Sequence, residues 1–269
     1  LNPSTQFNLQ SRAVLNLNAG EYIISDTIFI PPFCVIKGAG PEKTVIRKRT
    51  SGPAFQTISS LSTITTPVAL QGVDADTQAR NINIDGLSLI LENGAMGFDI
   101  KGCRDSRFSK IRITGDWPLA ASLDINSWGV YFESNNTAKV MNNEFDDVEI
   151  SNLSYAIYSP FDVKELTVSD SKFYDLGKGI VIGSTSNLEG QIQGAVNNII
   201  SNSTFDRVKE ECIEIVKGNN NLSTQNKFYT VGCWDSQNLV FENNLPQTPI
   251  VNFPVDAQGN SSRKDWFER

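Results

Sequence analysis

Histidine does not occur anywhere in the 269 residues of this chain. Without imidazole, the protein cannot use Ser-His-Asp or Cys-His catalysis, a histidine general base, or zinc sites built on histidine. The side chains that remain for acid–base chemistry are carboxylates, lysine and tyrosine. This single absence removes the commonest hydrolase mechanisms.

Cysteine is scarce, and the four cysteines do not form a Cys-x-x-Cys pair. The spacing therefore argues against a zinc knuckle and against a thioredoxin-type redox site. Three of Cys34, Cys103, Cys212 and Cys233 lie beside or inside apolar, strand-like stretches. We expect reduced, buried thiols that pack as small apolar side chains, as is typical of a protein made in a reducing cytoplasm.

Long apolar runs and basic clusters are missing too. No stretch approaches the ~20 apolar residues that span a bilayer, so we expect no membrane insertion. The net charge is −7 and the pI about 4.8, which argues against a nucleic-acid partner. No ligand pattern indicates a cofactor or a metal site. The sequence begins at Leu1 without a signal-peptide pattern, which fits either a fragment or a mature segment of a longer protein.

What the sequence does contain is a repeated motif. A polar turn residue is followed after three positions by a large apolar residue, and after three more by an aliphatic one. The large apolar residues of the six copies are Ile84, Phe108, Phe145, Phe173, Phe205 and Phe228. Steps of roughly 20–50 residues are typical of solenoids and propellers.

A second motif, a small residue followed by alternating apolar residues, falls between copies of the first. Its copies begin at Gly97, Gly129, Ala156, Gly179 and Cys212. Apolar residues at i and i+2 indicate strands, and the Asn, Asp, Gly and Ser between them favour tight turns. We therefore predict that each repeat forms one coil, and that the coils stack as a parallel β-helix with the Phe and Ile side chains inside. Most steps are too short for a propeller blade of about 40–50 residues.

Two stretches resemble the pectate-lyase-like superfamily. Residues 17–31, LNAGEYIISDTIFIP, resemble its opening, in which an Ala-Gly-x-Tyr turn precedes an extended strand and a proline. Residues 35–46, VIKGAGPEKTVI, resemble the following Gly-x-Gly-x-x-x-Thr-x-Ile step, and 80–233 is similar to the family's Asn-Ser-x-Phe-x-x-Ile rhythm. The resemblance implies an all-β, right-handed single-stranded parallel β-helix. It implies no particular activity, because the scaffold serves lyases, hydrolases, esterases and inert fibres.

The chain divides into three predicted parts. We expect an N-terminal cap or joint at residues 1–12, the β-helix at 13–253, and a C-terminal cap or joint at 254–269. Caps would cover the unpaired strand edges at the ends of the rod. Insertions at residues 50–67 and 114–127 are predicted to leave the coil at the same corner and lie side by side, where insertions of repeat proteins often carry binding.

Carboxylates supply the candidates for catalysis. Asp99, Glu133, Asp116 and Asp124 are weak candidates, because coils about 4.8 Å apart can place two carboxylates at the ~5–10 Å spacing of glycosidases. Solvated surface carboxylates explain the same pattern, so no catalytic residue is assigned.

The mechanisms known in the resembling family match poorly. The aspartates at 146–147 are paired but follow Phe145, and polygalacturonase-like hydrolases also need histidine. A calcium-dependent lyase could use Asp99, Glu133, Asp162 and Arg112, but the clustered aspartates of that mechanism are missing. No arrangement of the pectin-methylesterase type is evident.

Three aromatic residues, Trp117, Trp128 and Tyr131, are candidates for stacking on sugar rings. Trp117 precedes Pro118 and is predicted to be exposed. Trp128 stands two residues before the inward Val130 and fits the core equally well. A contact with a partner subunit explains the three residues as well as a carbohydrate does.

An acidic, Asn- and Ser-rich β-helix chain without a recognisable active site resembles phage tail-associated proteins of this superfamily. This resemblance implies a non-catalytic structural and receptor- or glycan-binding β-helix module of a phage tail appendage, a tailspike or fibre, in the virion or outside the cell. The resemblance implies a homotrimer, with other virion or cell-surface proteins and host polysaccharide as partners. The alternative is a carboxylate-dependent polysaccharide lyase or glycoside hydrolase that acts on a cell-surface polysaccharide.

Overall fold

The computed structural model describes residues 14–59, 79–135, 138–183, 194–216 and 218–229, and the backbone of 239–242, 261–263 and 266–268. The strands in these parts are β1 (Val14–Asn16), β2 (Gly20–Ile24), β3 (Ile28–Ile30), β4 (Val35–Lys37), β5 (Thr44–Lys48), β6 (Gly52–Thr57), β7 (Ala79–Arg80), β8 (Asn83–Leu91), β9 (Ala95–Lys101), β10 (Cys103–Thr114), β11 (Trp128–Glu133), β12 (Val140–Ser159), β13 (Val163–Lys164), β14 (Thr167–Ser169), β15 (Lys172–Ile182), β16 (Ala195–Val196), β17 (Ile199–Ser201), β18 (Thr204–Val208), β19 (Ile213–Val216), β20 (Leu222–Thr224), β21 (Lys227–Tyr229), β22 (Leu239–Glu242), β23 (Ser261–Arg263) and β24 (Trp266–Glu268).

Equivalent strands of successive coils form three long parallel sheets, here named faces A, B and C in the order in which the chain visits them. The short strands β7, β13 and β16 pair with β10, β12 and each other just before face A. Face A contains β1, β4, β8, β10, β12, β14, β17, β20 and β23. Face B contains β2, β5, β8, β10, β12, β15, β18, β21 and β24. Face C contains β3, β6, β9, β11, β12, β15, β19 and β22. The longer strands bend through a corner and join two or three faces. The predicted parallel β-helix is confirmed.

At the corners of each coil, the backbone adopts the left-handed conformation with positive φ. Asn142, before face A, has φ of 52°, Asp170, between faces A and B, also 52°, and Asp175, between faces B and C, 54°. Asn and Asp tolerate this conformation better than other residues with a Cβ atom. The equivalent residues are Asn81, Asp105, Glu165, Asn197 and Asn220 before face A, Lys110, Asp147, Asn202 and Gln225 between faces A and B, and Asn152 and Arg207 between faces B and C. The polar turn residue of the first motif is therefore the corner of a coil.

Phenylalanine rings stack in the interior between coils. The ring centroids of Phe108 and Phe145 lie 4.6 Å apart, and those of Phe173 and Phe205 lie 4.9 Å apart. All four side chains are buried in one continuous apolar cluster. Stacked aromatic pairs at this distance add about 0.5–1.5 kcal/mol to the contribution of burial. The predicted interior of Phe and Ile is confirmed.

The prediction of one coil per copy of the first motif is wrong at one step. Phe145 pairs on face A with Val168 rather than with Phe173, and Phe173 pairs on face B with Ile150. The motif encodes a corner followed by an inward apolar residue, and this local chemistry suits either corner. The chain therefore uses it before face A up to Phe145 and before face B from Phe173 onward.

The prediction that two insertions leave at one corner is also wrong. Residues 52–57 form β6, which pairs with β9 on face C. Because Ala54 and Phe55 are buried in the core, their apolar contacts outweigh the Ser, Thr and Pro composition that suggested a loop. Residues 60–67 lie outside the described part of the chain.

The second motif marks face C, as its alternation predicts. Phe98, Val130, Ile157, Ile180 and Ile213 occupy one inward position on successive coils. Its leading residue is small because neighbouring coils approach closely there. A Cβ atom at Gly97 would lie 1.9 Å from Gly129 O, a clash that any larger residue would make.

Polar side chains replace apolar ones inside the later coils. Asn198 and Asn221 are buried, and the Nδ2 of Asn198 donates to the Oδ1 of Asn221 at 2.8 Å. Asn198 Oδ1 accepts from Leu166 N at 2.8 Å, and its Nδ2 also donates to Val163 O at 3.1 Å. These bonds satisfy backbone groups at the corner before face A.

The cysteines are where the sequence suggests. Cys34, Cys103 and Cys212 are buried free thiols, and burial raises the pKa of Cys103 to about 12. Cys233 lies outside the described residues, as do the predicted N-terminal cap and most of the predicted C-terminal one. Strands β23 and β24 extend faces A and B within the latter segment.

Candidate functional site

The outer surface of face C differs from the outer surfaces of faces A and B. Ion pairs cover much of the latter two, for example Arg107–Asp146 at 2.7 Å on face A and Arg47–Glu21 at 2.6 Å on face B. Face C instead presents aromatic rings between charged groups, which makes it the candidate binding surface.

Strand register arranges the outward residues of face C in two columns along the rod. The first column reads Phe29, Gln56, Asp99, Tyr131, Tyr158, Val181 and Glu214. The second reads Trp128, Tyr155 and Lys178. Both columns therefore pass from aromatic rings to charged groups toward the later coils.

The aromatic cluster comprises Trp128, Tyr131, Tyr155, Tyr158 and Phe161. Ring centroids are 5.3 Å apart for Trp128 and Tyr131, 4.6 Å for Tyr155 and Tyr158, and 5.8 Å for Tyr131 and Tyr158. The rings of Phe161 and Tyr131 form a T-shaped pair with centroids 6.5 Å apart. Trp128 is buried and the other four are half-buried. Burial raises the pKa of the three tyrosines, so their hydroxyls remain protonated donors.

Asp99, Lys101 and Glu133 form a charged group at the earlier coils. Lys101 Nζ lies 2.7 Å from Glu133 Oε2 and 3.7 Å from Asp99 Oδ2, and Gln56 Nε2 donates to Asp99 Oδ2. Asp99 Oδ1 is buried without a hydrogen-bond partner among the described residues. Desolvation raises the pKa of Asp99, although Gln56 and Lys101 act against it.

This raised pKa predicts how the stability of an Asp99→Asn variant depends on pH. The folded chain binds the proton of Asp99 more tightly than the unfolded chain does. The stabilising contribution of the Asp99 carboxyl group is therefore complete at a pH below its ordinary pKa of 3.8, and it is lost as the pH rises through the folded-state pKa. We expect the variant to gain stability relative to the parent protein as the pH rises from about 3 to about 8, as measured by urea unfolding.

Asp175→Asn is the matched control, with the opposite sign. The hydrogen bond from Arg207 lowers the pKa of Asp175, so its contribution is present above 3.8 and is lost as the pH falls. Asparagine tolerates the left-handed backbone at this corner. The loss of stability in this variant, relative to the parent protein, is expected to be larger at neutral pH than at acidic pH. A common pH trend in the two variants would contradict both assignments.

Lys178 and three glutamates form the charged group at the later coils. Lys178 Nζ lies 2.8 Å from Glu211 Oε2, 2.7 Å from Glu214 Oε2 and 3.7 Å from Glu210 Oε2. Burial acts to lower the pKa of Lys178, but its hydrogen bonds to Glu211 and Glu214 outweigh burial and raise it. Lys178 is therefore held as a cation beside Tyr155.

The loop between β10 and β11 packs beside this face. Trp117 is buried, with 7% of its surface exposed, and its Nε1 donates to Ser122 O at 3.2 Å. The prediction of an exposed Trp117 is wrong, because the loop folds over its own indole. Lys209 Nζ donates to Ala121 O at 2.8 Å, which ties the loop to a later coil.

Two of the carboxylates that the sequence suggests for catalysis form hydrogen bonds to the backbone in and beside this loop. Asp116 Oδ2 accepts from Asn93 N at 3.0 Å, and Asp124 Oδ1 accepts from Asn126 N at 2.9 Å. The backbone of Asp124 also donates to Ser154 Oγ at 2.8 Å. Their contacts are those of residues that shape the loop, and not those of a carboxylate pair with Asp99 or Glu133.

The structure thus brings four of the seven predicted site residues together on face C: Asp99, Glu133, Trp128 and Tyr131. Sequence reasoning missed Lys101, Lys178, Tyr155, Tyr158 and Phe161. A signal for Tyr158 was available, since it follows inward Ile157 in the second motif as Tyr131 follows Val130. The described residues contain no cluster that could hold a metal ion. No helix long and apolar enough to cross a membrane occurs in the described ranges.

No protein-family model matches the sequence, and neither does any curated protein. Solved structures share the fold. The catalytic domain of a GH87 α-1,3-glucanase in complex with nigerose aligns with a TM-score of 0.53 at 13% identity, over 94% of this chain and 40% of that one. A variant of such a domain in complex with tetrasaccharides aligns with a TM-score of 0.50 at 15% identity, over 97% and 42%.

ORF18 of Geobacillus virus E2 aligns with a TM-score of 0.45 at 14% identity, over 85% of this chain and 46% of that one, a similarity too low to carry an inference. This chain spans less than half the length of these structures. Identities this low establish the fold alone. The protein has the right-handed parallel β-helix fold of these structures, as its repeats and motifs predict.

Proposed function

We propose that the protein is a carbohydrate-binding β-helix module that does not cleave its ligand. The observation that carries this proposal is the aromatic cluster on face C. Sugar rings combine apolar C–H faces with hydroxyl groups, so they fit flat aromatic side chains flanked by a few hydrogen-bonding groups. Carboxylates, an amide and tyrosine hydroxyls flank the rings here, and a ligand would lie along the rod.

The ion pairs of Asp99 and Glu133 with Lys101 support binding without cleavage. A glycosidase needs one protonated carboxyl group and one free carboxylate facing the scissile bond. Asp99 and Glu133 instead share Lys101, and only 10% of the Asp99 side chain is exposed. The ammonium occupies the space between the two carboxyl groups, where the glycosidic oxygen would have to enter.

The rod itself supports a structural role in a larger assembly. We assign the module to a virion tail appendage, a tailspike or fibre, in which three copies pack together and other virion or cell-surface proteins join the ends. Continuous parallel ladders on three faces give such a part its stiffness. Light scattering on the purified chain tests the trimer, and a mass of one chain would contradict it.

A polysaccharide-cleaving enzyme is the second candidate. The observation in its favour is that Asp99, whose pKa burial raises, lies beside Glu133 on the next coil, since a raised pKa suits a carboxyl group for the role of general acid. Incubation with a bound glycan, followed by assays for reducing ends and unsaturated products, decides between the two. We expect neither product.

Alanine substitutions in the aromatic cluster test the proposed function. Against an oligosaccharide panel, Tyr155→Ala and Tyr158→Ala are each expected to weaken binding at least ~10-fold, about 1.4 kcal/mol, because the stacking surface is lost. Tyr174→Ala is the matched control, since Tyr174 lies half-buried on face B, where its hydroxyl donates to Glu149 Oε1 at 2.6 Å. An equal loss in all three variants, or no binding by the parent protein, contradicts the proposal.

A further inference from the structure

The loop of residues 115–127 makes contacts that a stack of coils does not require. The coils are numbered here by their face A strands, so that β10 lies in coil 4, β12 in coil 5, β14 in coil 6 and β17 in coil 7. Each repeat of a solenoid normally contacts only its neighbours, and the stability of the stack is a sum of terms within and between adjacent repeats. This loop leaves coil 4 and contacts coils 5, 6 and 7.

Both ends of the loop are bonded to coil 5. Trp117 N donates to Asn152 O at 3.0 Å near the start of the loop, and Tyr155 N donates to Ser127 O at 2.9 Å at its end. These hydrogen bonds join adjacent coils, as ladder bonds do. They fix where the loop leaves the rod and where it returns.

The middle of the loop reaches coil 6. Leu123 lies against Gly177, where an added Cβ atom would lie 2.3 Å from Leu123 Cδ2 and 2.7 Å from Ser154 O. Gly177 is not among the glycines with positive φ, so the backbone conformation does not require a glycine here. The missing side chain is explained by the space that Leu123 and the backbone of coil 5 occupy. Gly177 is therefore the position at which the loop docks.

The loop also reaches coil 7, three coils from its own. Lys209 Nζ donates to Ala121 O at 2.8 Å. Lys209 N donates to Leu176 O at 2.8 Å, which places the lysine directly beyond the docking position of Leu123. Three coil steps are about 14 Å along the rod. The strands of coil 4 pair with coils 3 and 5, so the contact with Lys209 bypasses two coils.

We propose that the loop of residues 115–127 is an axial strap that makes coils 4 to 7 open as one unit. Separating coil 7 from coil 6 breaks the ladder between them and also pulls Lys209 away from a loop that is anchored on coils 4 and 5. Coils on either side of the strap are held by their neighbours and open one at a time. The strapped coils carry the aromatic cluster, so its rings keep a fixed spacing. The inference does not depend on what the cluster binds.

Native-state hydrogen exchange tests the strap from the side of the loop. The amide of Ile180 donates to Cys212 O at 2.9 Å and reports the separation of coil 6 from coil 7. Leu123→Ala is expected to speed exchange of this amide about 5-fold, because the loop no longer holds the later coils. Ile125→Ala is the matched control, since Ile125 belongs to the same loop and is 59% exposed. It is expected to leave the exchange unchanged.

A second variant breaks the strap from the side of coil 7. Lys209→Met keeps most of the side-chain length and removes the donor to Ala121 O, so about 5-fold faster exchange at Ile180 is expected from the loss of one hydrogen bond. Lys172→Met makes the same change in charge at an exposed position on face B of coil 6 and is expected to have no effect. The amide of Ile58, which donates to Ile30 O outside the strap, is expected to exchange alike in all variants.

The double variant decides whether the two contacts belong to one device. Leu123→Ala combined with Lys209→Met is expected to speed exchange at Ile180 by less than the product of the single effects, because either change alone frees the loop. An unchanged Ile180 amide in Leu123→Ala, an equal effect of Ile125→Ala, or independent effects in the double variant would overturn the strap. Because no glycan is present in these measurements, such a result would leave the proposed function standing.

Discussion

Replacing Phe205 by alanine is expected to lower the free energy of unfolding by about 3–5 kcal/mol. Phe205 is completely buried between Phe173 and Phe228, with ring centroids 4.9 and 5.1 Å away. The substitution removes apolar burial and two ring contacts, and it leaves a cavity that the stacked coils can close only by changing their spacing. Urea unfolding followed by circular dichroism measures the loss.

Phe29→Ala is the control with the same chemical change. Phe29 lies in the first described coil and is 41% exposed, so its truncation is expected to cost less than about 1 kcal/mol. If both variants lost the same stability, ring stacking in the interior would not be what holds neighbouring coils together.

The Asn198→Ala variant is expected to lose about 3 kcal/mol or more, although alanine is smaller and less polar. Asn198 is buried, and its amide serves Leu166 N, Val163 O and Asn221 Oδ1. Alanine leaves Leu166 N and Val163 O without this side-chain partner, whereas Asn221 Oδ1 keeps its hydrogen bond from the backbone N of residue 198. Each buried group left unsatisfied costs about 1–3 kcal/mol. The measurement is the shift of the urea midpoint at unchanged slope.

Two further variants separate hydrogen bonding from the mere loss of a side chain. Asn126→Ala, at an exposed position in the loop between β10 and β11, is expected to stay within about 0.5 kcal/mol of the parent protein. The Asn198→Ala, Asn221→Ala double variant is expected to lose less than the sum of the single losses, because the two amides share a bond. Strict additivity would show that the two amides act independently.

The fold follows from the sequence because its rules are local. A left-handed corner needs Asn, Asp or another tolerant residue, as at Asn142 and Asp170, and the inward position after it needs a large apolar side chain. These requirements recur in every coil, so the sequence displays them as a repeat. Which corner a given copy occupies is not local, since Phe145 and Phe173 follow the same pattern and lie on different faces.

The candidate site was harder to predict because it depends on register between distant segments. Asp99 and Tyr131 were recognised singly, but their neighbours Gln56 and Tyr158 come from coils whose alignment only the structure supplies. The Ser, Thr and Pro content around residues 52–57 indicates a loop rather than strand β6, so the place of Gln56 beside Asp99 cannot be predicted from the sequence. Charge pairing adds a second difficulty, since nothing in the sequence tells that Lys101 serves two carboxylates.

Trp117 shows a third limit. A tryptophan beside a proline in a polar insertion is often solvent-exposed, but here the loop supplies its own acceptor, Ser122 O. An indole buries most of its large surface readily once its one N–H finds a partner. Sequence composition records neither the path of the loop nor that hydrogen bond.

The direction of the ladder hydrogen bonds determines how the rod responds to force. In parallel sheets these bonds join neighbouring strands, and here the neighbours are successive coils, so the bonds point along the long axis. Tension on the two ends would load them directly and peel coils away in sequence, whereas compression would press the coils onto one another. A load across the rod is carried along covalent backbone. The fold therefore resists compression along its axis better than it resists tension.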